Sequence, residues 1–90
     1  METKIVHCKK EKYDIYIGRG SKWGNPFTVA HYGRKSAILK YKEWLERQFN
    51  LLKDLKELKG KTLGCWCSPL ACHGDVLVKL IEKRYGKEEK

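Results

Sequence analysis

The feature that most constrains this chain is a change of hydrophobic period near residue 60. From about Arg34 to Phe49 the apolar residues Ala37, Ile38, Tyr41, Trp44, Leu45 and Phe49 recur at three- and four-residue spacing, the pattern of an amphipathic helix. Asn50 offers a break, Leu51, Leu52, Leu55 and Leu58 resume the helical pattern, and Gly60 stops it. Residues 61–66 then alternate, with Leu63, Cys65 and Cys67 on one face of an extended segment and Thr62, Gly64 and Trp66 on the other. A long helical connection feeding a buried strand lets that strand lie parallel to an earlier one by a right-handed crossover.

The remaining elements complete an α/β reading. Residues 4–8 form a short β-prone run. Residues 13–17 form a second, placing Tyr13, Ile15 and Ile17 on one face, with 9–12 as the turn between two strands expected to be antiparallel. Residues 27–30 read as a brief edge strand after Pro26. A final helix runs from Gly74 or Asp75 to Tyr85 and buries Val76, Leu77, Leu80 and Ile81, with Asp75 at its positive end and Gly86 ending it. The expected fold is a small mixed sheet of three to four strands with two to three packed helices. One compact domain spans 1–86, followed by a disordered basic tail at 87–90.

Twenty Lys and Arg against eleven Asp and Glu leave a formal charge of +9, which favours polyanionic partners such as nucleic acid or nucleotides. Against a dedicated patch, the lysines are dispersed, and the dense stretches 9–12 and 53–61 are interrupted by Glu or Asp. No apolar run approaches the ~20 residues that cross a bilayer, and the N-terminus lacks the apolar core of a secretory signal. A cytoplasmic protein with no membrane partner is expected, and with it reduced thiols or metal ligands rather than disulfides.

Three of the four cysteines fall in Cys65-Trp66-Cys67-Ser68-Pro69-Leu70-Ala71-Cys72-His73, between the buried strand and the last helix. Three readings stay open. Cys65, Cys67, Cys72 and His73 form a zinc site, thiolate and imidazole donors suiting a tetrahedral ion, although C-x-C-x4-C-H differs from paired C-x2-C knuckles. Alternatively, the junction cradles an anion on the amides of a helix start, with Cys67 or Cys72 as nucleophile and His73 and Asp75 as acid–base groups. Cys67-x5-His73 has the spacing of the cysteine phosphatase loop, but His73 stands where that loop needs arginine, which argues against phosphatase activity. Thirdly, the thiols simply pack as small core residues.

A second specialised stretch runs Gly18-Arg19-Gly20-Ser21-Lys22-Trp23-Gly24-Asn25-Pro26-Phe27. Gly18 and Gly20 allow close backbone approach, and Arg19, Ser21 and Lys22 suit phosphate or carboxylate oxygens. Trp23 and Phe27 either stack on a ring or anchor the loop to the core, and Asn25 either contributes to the ligand site or makes a turn with Pro26. An arginine between glycines has little local packing to explain it.

Residues 17–27 and 63–77, the latter reading Leu63-Gly64-Cys65-Trp66-Cys67-Ser68-Pro69-Leu70-Ala71-Cys72-His73-Gly74-Asp75-Val76-Leu77, closely resemble the family catalogued as domain of unknown function 4326. The resemblance covers nearly the whole chain and implies no established activity. Cys72-His73 before a helix is also similar to the Cys-His-Arg motif of the family of unknown function 488, with Gly74 in place of that arginine. The expected function is binding of a phosphate-bearing ligand, a nucleotide or nucleic-acid end. Gly18 to Trp23 and Asn25 would hold it, and Cys67, Cys72, His73 and Asp75 would supply chemistry. The rival is a noncatalytic, zinc-stapled module that binds nucleic acid or protein.

Overall fold

A computed structural model describes residues 3–66, 70 and 72–86. Its elements in chain order are strands β1 (Lys4–His7) and β2 (Ile15–Tyr16), helices α1 (Val29–Tyr32), α2 (Arg34–Leu45) and α3 (Phe49–Asp54), a 3-10 turn (Leu55–Leu58), strand β3 (Thr62–Cys65) and helix α4 (His73–Tyr85). The sheet order is β1-β3-β2. Both outer strands pair parallel to β3, with Ile5 and Ile15 opposite Leu63, and Val6 and Tyr16 opposite Gly64.

The α/β class therefore holds, and the sheet is parallel throughout. The antiparallel expectation for β1 and β2 is corrected, because β3 separates them and the two strands never meet. Residues 8–14 carry the chain from the end of β1 to the start of β2 across one face of β3. Gly64 makes room for that crossing: a Cβ there would lie 2.6 Å from Cγ of Tyr13. Tyr13 thus sits on the face opposite Leu63 and Cys65 instead of joining Ile15 and Ile17 in one alternating row.

The helices pack on the other face. Leu63 and Cys65 join Ile17, Tyr41, Leu45, Leu52, Leu55, Leu58 and the inner side of α4 (Val76, Leu77, Leu80, Ile81) in one core. Moving over one face from β1 to β2 and back over the other from β2 to β3 gives both connections the same hand, as parallel connections require.

Strand β2 is shorter than the expected 13–17, α4 starts one residue earlier at His73, and the stretch from Phe27 to Asn50 differs in two further places. Residues 27–30 do not form a strand. Thr28 accepts the His31 N–H at 3.2 Å and caps the one-turn helix α1, a role threonine takes readily. Helix α2 ends at Leu45, where the Arg47 and Gln48 amides turn back to Trp44 and Leu45 carbonyls, so the break precedes Asn50 and leaves Phe49 79% exposed. That turn lets Leu52 and Leu55 return to the core that holds Leu45. Gly60 and Gly86, with φ of 73° and 80°, end their helical segments as expected. Among the described residues no helix is long and apolar enough to cross a membrane. The expected tail at 87–90 lies outside the described residues.

Candidate functional site at the carboxyl edge of the sheet

Because all three strands run the same way, their carboxyl ends share one edge, and Cys8, Ile17-Gly18-Arg19 and Trp66 each leave the sheet there. In open parallel sheets this edge is where ligands collect. The amide of Ile17 donates to the Gly64 carbonyl at 3.0 Å, extending the β2 pairing up to the glycine-rich loop. Glycine-rich loop and cysteine–histidine junction therefore face one another, as the sequence reading requires.

Between them lies a cavity of 410 Å³. Its sheet side is formed by Tyr16, Gly18, Cys65 and Trp66; the loop contributes Arg19, Asn25 and Phe27; α1 contributes Val29; α2 contributes Arg34, Ala37 and Ile38; and the start of α4 contributes Cys72 and His73. Two arginines and no carboxylate line it among the described residues, a composition that favours an anion.

The α4 end of the cavity is built by close approach. A Cβ on Gly74 would lie 2.8 Å from Ile5 Cδ1 and 2.9 Å from Ile17 Cδ1, so only glycine lets the first turn of α4 settle this far onto the sheet. Cys72 caps the helix: its Sγ accepts the Gly74 N–H at 3.3 Å, and its own N–H donates to Asp75 Oδ2 at 3.2 Å, closing a capping box. The thiol is thereby held at the N-terminal end of a thirteen-residue helix.

Cys65 Sγ stands 3.4 Å from Cys72 Sγ, and one ligand atom from each of Cys65, Cys72 and His73 falls within 4.8 Å of the others, all three residues buried. His73 Nε2 lies 2.6 Å from the Ile17 carbonyl. A carbonyl only accepts, so Nε2–H is the donor in this contact. Tyr41 closes the interior side, its ring edge-on to His73 at a centroid distance of 5.0 Å and its hydroxyl donating to the Trp23 carbonyl at 2.7 Å. Burial, with a smaller contribution from neighbouring Cys72, pushes the Tyr41 hydroxyl well above the ordinary tyrosine range.

The other residues singled out from sequence divide between the cavity and the scaffold. Gly18, Arg19 and Asn25 line the cavity. Asn25 is also a brace, its amide donating to the Ala37 carbonyl at 3.2 Å and its Oδ1 accepting the Phe27 N–H at 2.9 Å. Gly20, with φ of 97°, makes the turn, and the Ser21 hydroxyl folds back onto the Gly18 carbonyl at 2.7 Å. Lys22 leaves the site altogether: its Nζ pairs with Asp54 at 2.9 Å and Glu57 at 3.2 Å. Those carboxylates, Asp54 foremost, raise its pKa. Trp23 is 2% exposed and anchors the loop in the core, so it does not cover a ligand ring. Asp75 serves the helix cap and does not line the cavity. Cys67, expected both as ligand and as nucleophile, lies outside the described residues.

Arg34, Tyr16 and Trp66 are among the cavity residues that the sequence reading missed, with apolar Val29, Ala37 and Ile38. Arg34 is one cation among many in the chain and is brought to the cavity by the packing of α2, whereas Tyr16 is placed there by the sheet order.

A parallel three-stranded sheet with a Cys/Cys/His cluster and an arginine-lined cavity at its carboxyl edge defines a small α/β protein organised around one strand-to-helix junction. The chain belongs to the family described as Domain of unknown function (DUF4326), whose model matches residues 3–83. It is 40% identical to "Uncharacterized protein R718" of Acanthamoeba polyphaga mimivirus, across 88% of this chain and 82% of that protein. It is 30% identical to the "Uncharacterized 12.4 kDa protein in nrdA-td intergenic region" of Enterobacteria phage T4, across 91% of this chain and 80% of that one. No solved structure matches.

Proposed function

We propose that this protein binds a phosphate-bearing ligand, a nucleotide or the end of a nucleic acid, in the cavity at the carboxyl edge of its sheet. The observation that carries the reading is the composition of the cavity: Arg19 from the loop and Arg34 from α2 line it, with no carboxylate among the described lining residues. The arginines hold the anion, while Tyr16, Phe27 and Trp66 offer ring faces to a base. The Cys72 sulfur and the His73 imidazole form the buried end against which the ligand rests. The same reading places the protein in the cytoplasm, where nucleotides and reduced thiols coexist.

The test is nucleotide affinity measured by calorimetry. Arg19→Ala is expected to weaken binding of a nucleoside monophosphate about 10- to 100-fold, the worth of one charge-assisted contact to phosphate. Unchanged affinity for mono-, di- and triphosphates would remove the proposal.

A second reading, a zinc-stapled module, is favoured by one specific observation, the mutual approach of Cys65, Cys72 and His73 within 4.8 Å. Sulfur ligands stand about 3.7 Å apart around a tetrahedral zinc, close to the spacing of these two thiols. The Ile17 carbonyl takes His73 Nε2 at 2.6 Å, so Nδ1 is the ring nitrogen this reading assigns to the metal, the carbonyl serving as its outer partner. This reading expects about one zinc per chain by elemental analysis and loss of folding on chelation.

A further inference from the structure

The face of the sheet that residues 8–14 cross carries a group of aromatic side chains joined to the cavity. Trp66 is 54% exposed and Tyr13 42% exposed, although both are large and apolar enough to be buried in a core. They are not scattered. Trp66 Nε1 donates to the Tyr16 hydroxyl at 3.1 Å, the Tyr13 and Tyr16 rings are 6.3 Å apart, and the His7 ring meets Trp66 edge-on at 5.7 Å. Tyr13 lies on Gly64 in the central strand, so the row is laid across the sheet itself and not on a mobile loop tip. Isolated exposed aromatics need no explanation; a connected row on a sheet face does.

Charge identifies what the row fits. Lys9 Nζ stands 5.5 Å over the Trp66 ring, and the crossing segment that carries Tyr13 also carries exposed Lys10 and Lys12, with Glu11 its one acid before Asp14. The whole chain adds a formal +9. Aromatic rings bordered by cations complement a polyanion whose units have flat faces, and among polyanions only a single strand of nucleic acid presents them, since a duplex hides its base faces in its own stack. Tyr16 and Trp66 belong to both the row and the cavity, so the two surfaces are continuous.

We propose that the aromatic sheet face is a track for single-stranded nucleic acid, bases stacking on Tyr13 and Trp66 and backbone phosphates meeting Lys9, Lys10 and Lys12, with the strand's terminal phosphate in the arginine-lined cavity. The last clause rests on the reading of that cavity as an anion site.

The test titrates labelled oligodeoxythymidine of about twelve residues, within the usual span of such sites, against wild type, the double variant Tyr13→Leu with Lys9→Gln, and Arg19→Ala. Deoxythymidine monophosphate is the second probe. Leucine keeps the cover over Gly64, and circular dichroism verifies that each variant is folded. The double variant is expected to lose at least about tenfold in oligonucleotide affinity while its monophosphate affinity stays within about twofold. Wild-type affinity should also fall steeply with salt. An unchanged oligonucleotide affinity in the double variant, or a wild-type preference for duplex, overturns the track. If Arg19→Ala keeps the monophosphate while the double variant loses the oligonucleotide, the cavity reading falls and the track stands; the reverse pattern sinks the track and keeps the cavity.

Discussion

Tyr41 links core and cavity through one hydroxyl. It is fully buried on α2, donates to the backbone of the glycine-rich loop at Trp23, and packs its ring against His73. Its raised pKa has a definite consequence. The folded chain keeps a proton that the unfolded chain releases near pH 10, so this group's contribution to stability is complete below that pH and is lost as pH climbs toward the folded value. Urea midpoints taken from pH 8 to 11 should show stability falling by up to about 1.4 kcal/mol per pH unit from this residue. Tyr41→Phe should start about 1 kcal/mol lower at pH 8, having lost the hydrogen bond, and decline less steeply than wild type. Parallel slopes for the two proteins would show that another group carries the alkaline transition.

Helix α4 makes the junction through its first turn, and its cap separates two roles for the same cysteine. If Cys72 acts only by accepting the Gly74 N–H, serine replaces it at little cost, whereas alanine loses about 1 kcal/mol. If the sulfur also holds zinc, Cys72→Ser loses the metal along with Cys72→Ala. Midpoints and zinc content of the two variants distinguish the cases. Helices α2 and α4 and strand β3 were legible in the sequence because their apolar spacing reports local geometry. The order of the strands was not. Residues 9–12 look locally like a hairpin turn, and what overrides that is nonlocal: β3 inserts between β1 and β2, with Gly64 leaving space for Tyr13. The same applies to side chains in the glycine-rich loop. Gly18 and Arg19 follow a strand, which places them at an edge of the sheet, but which edge depends on the strand order, and the burial of Trp23 depends on α2. The pairing of Lys22 depends on Asp54, thirty-two residues away. Neither is encoded near the loop itself.

At the scale of the molecule, +9 on ninety residues means self-repulsion in the compact state. Raising salt from about 10 to 150 mM brings the Debye length from roughly 30 Å to 8 Å, and the melting temperature should rise over that interval. A nucleotide or oligonucleotide should raise it further at low salt, with a smaller increment at high salt. A melting temperature that falls on adding salt would indicate that favourable pairs such as Lys22 with Asp54 outweigh the repulsion. The sheet order carries a last consequence, for how the chain acquires its structure. The two N-terminal strands have no ladder with each other, and their common partner is synthesised only after α2 and α3. Among the described residues a nascent chain cut before Thr62 therefore lacks both native ladders, and the edge that lines the cleft is complete only once the central strand has emerged.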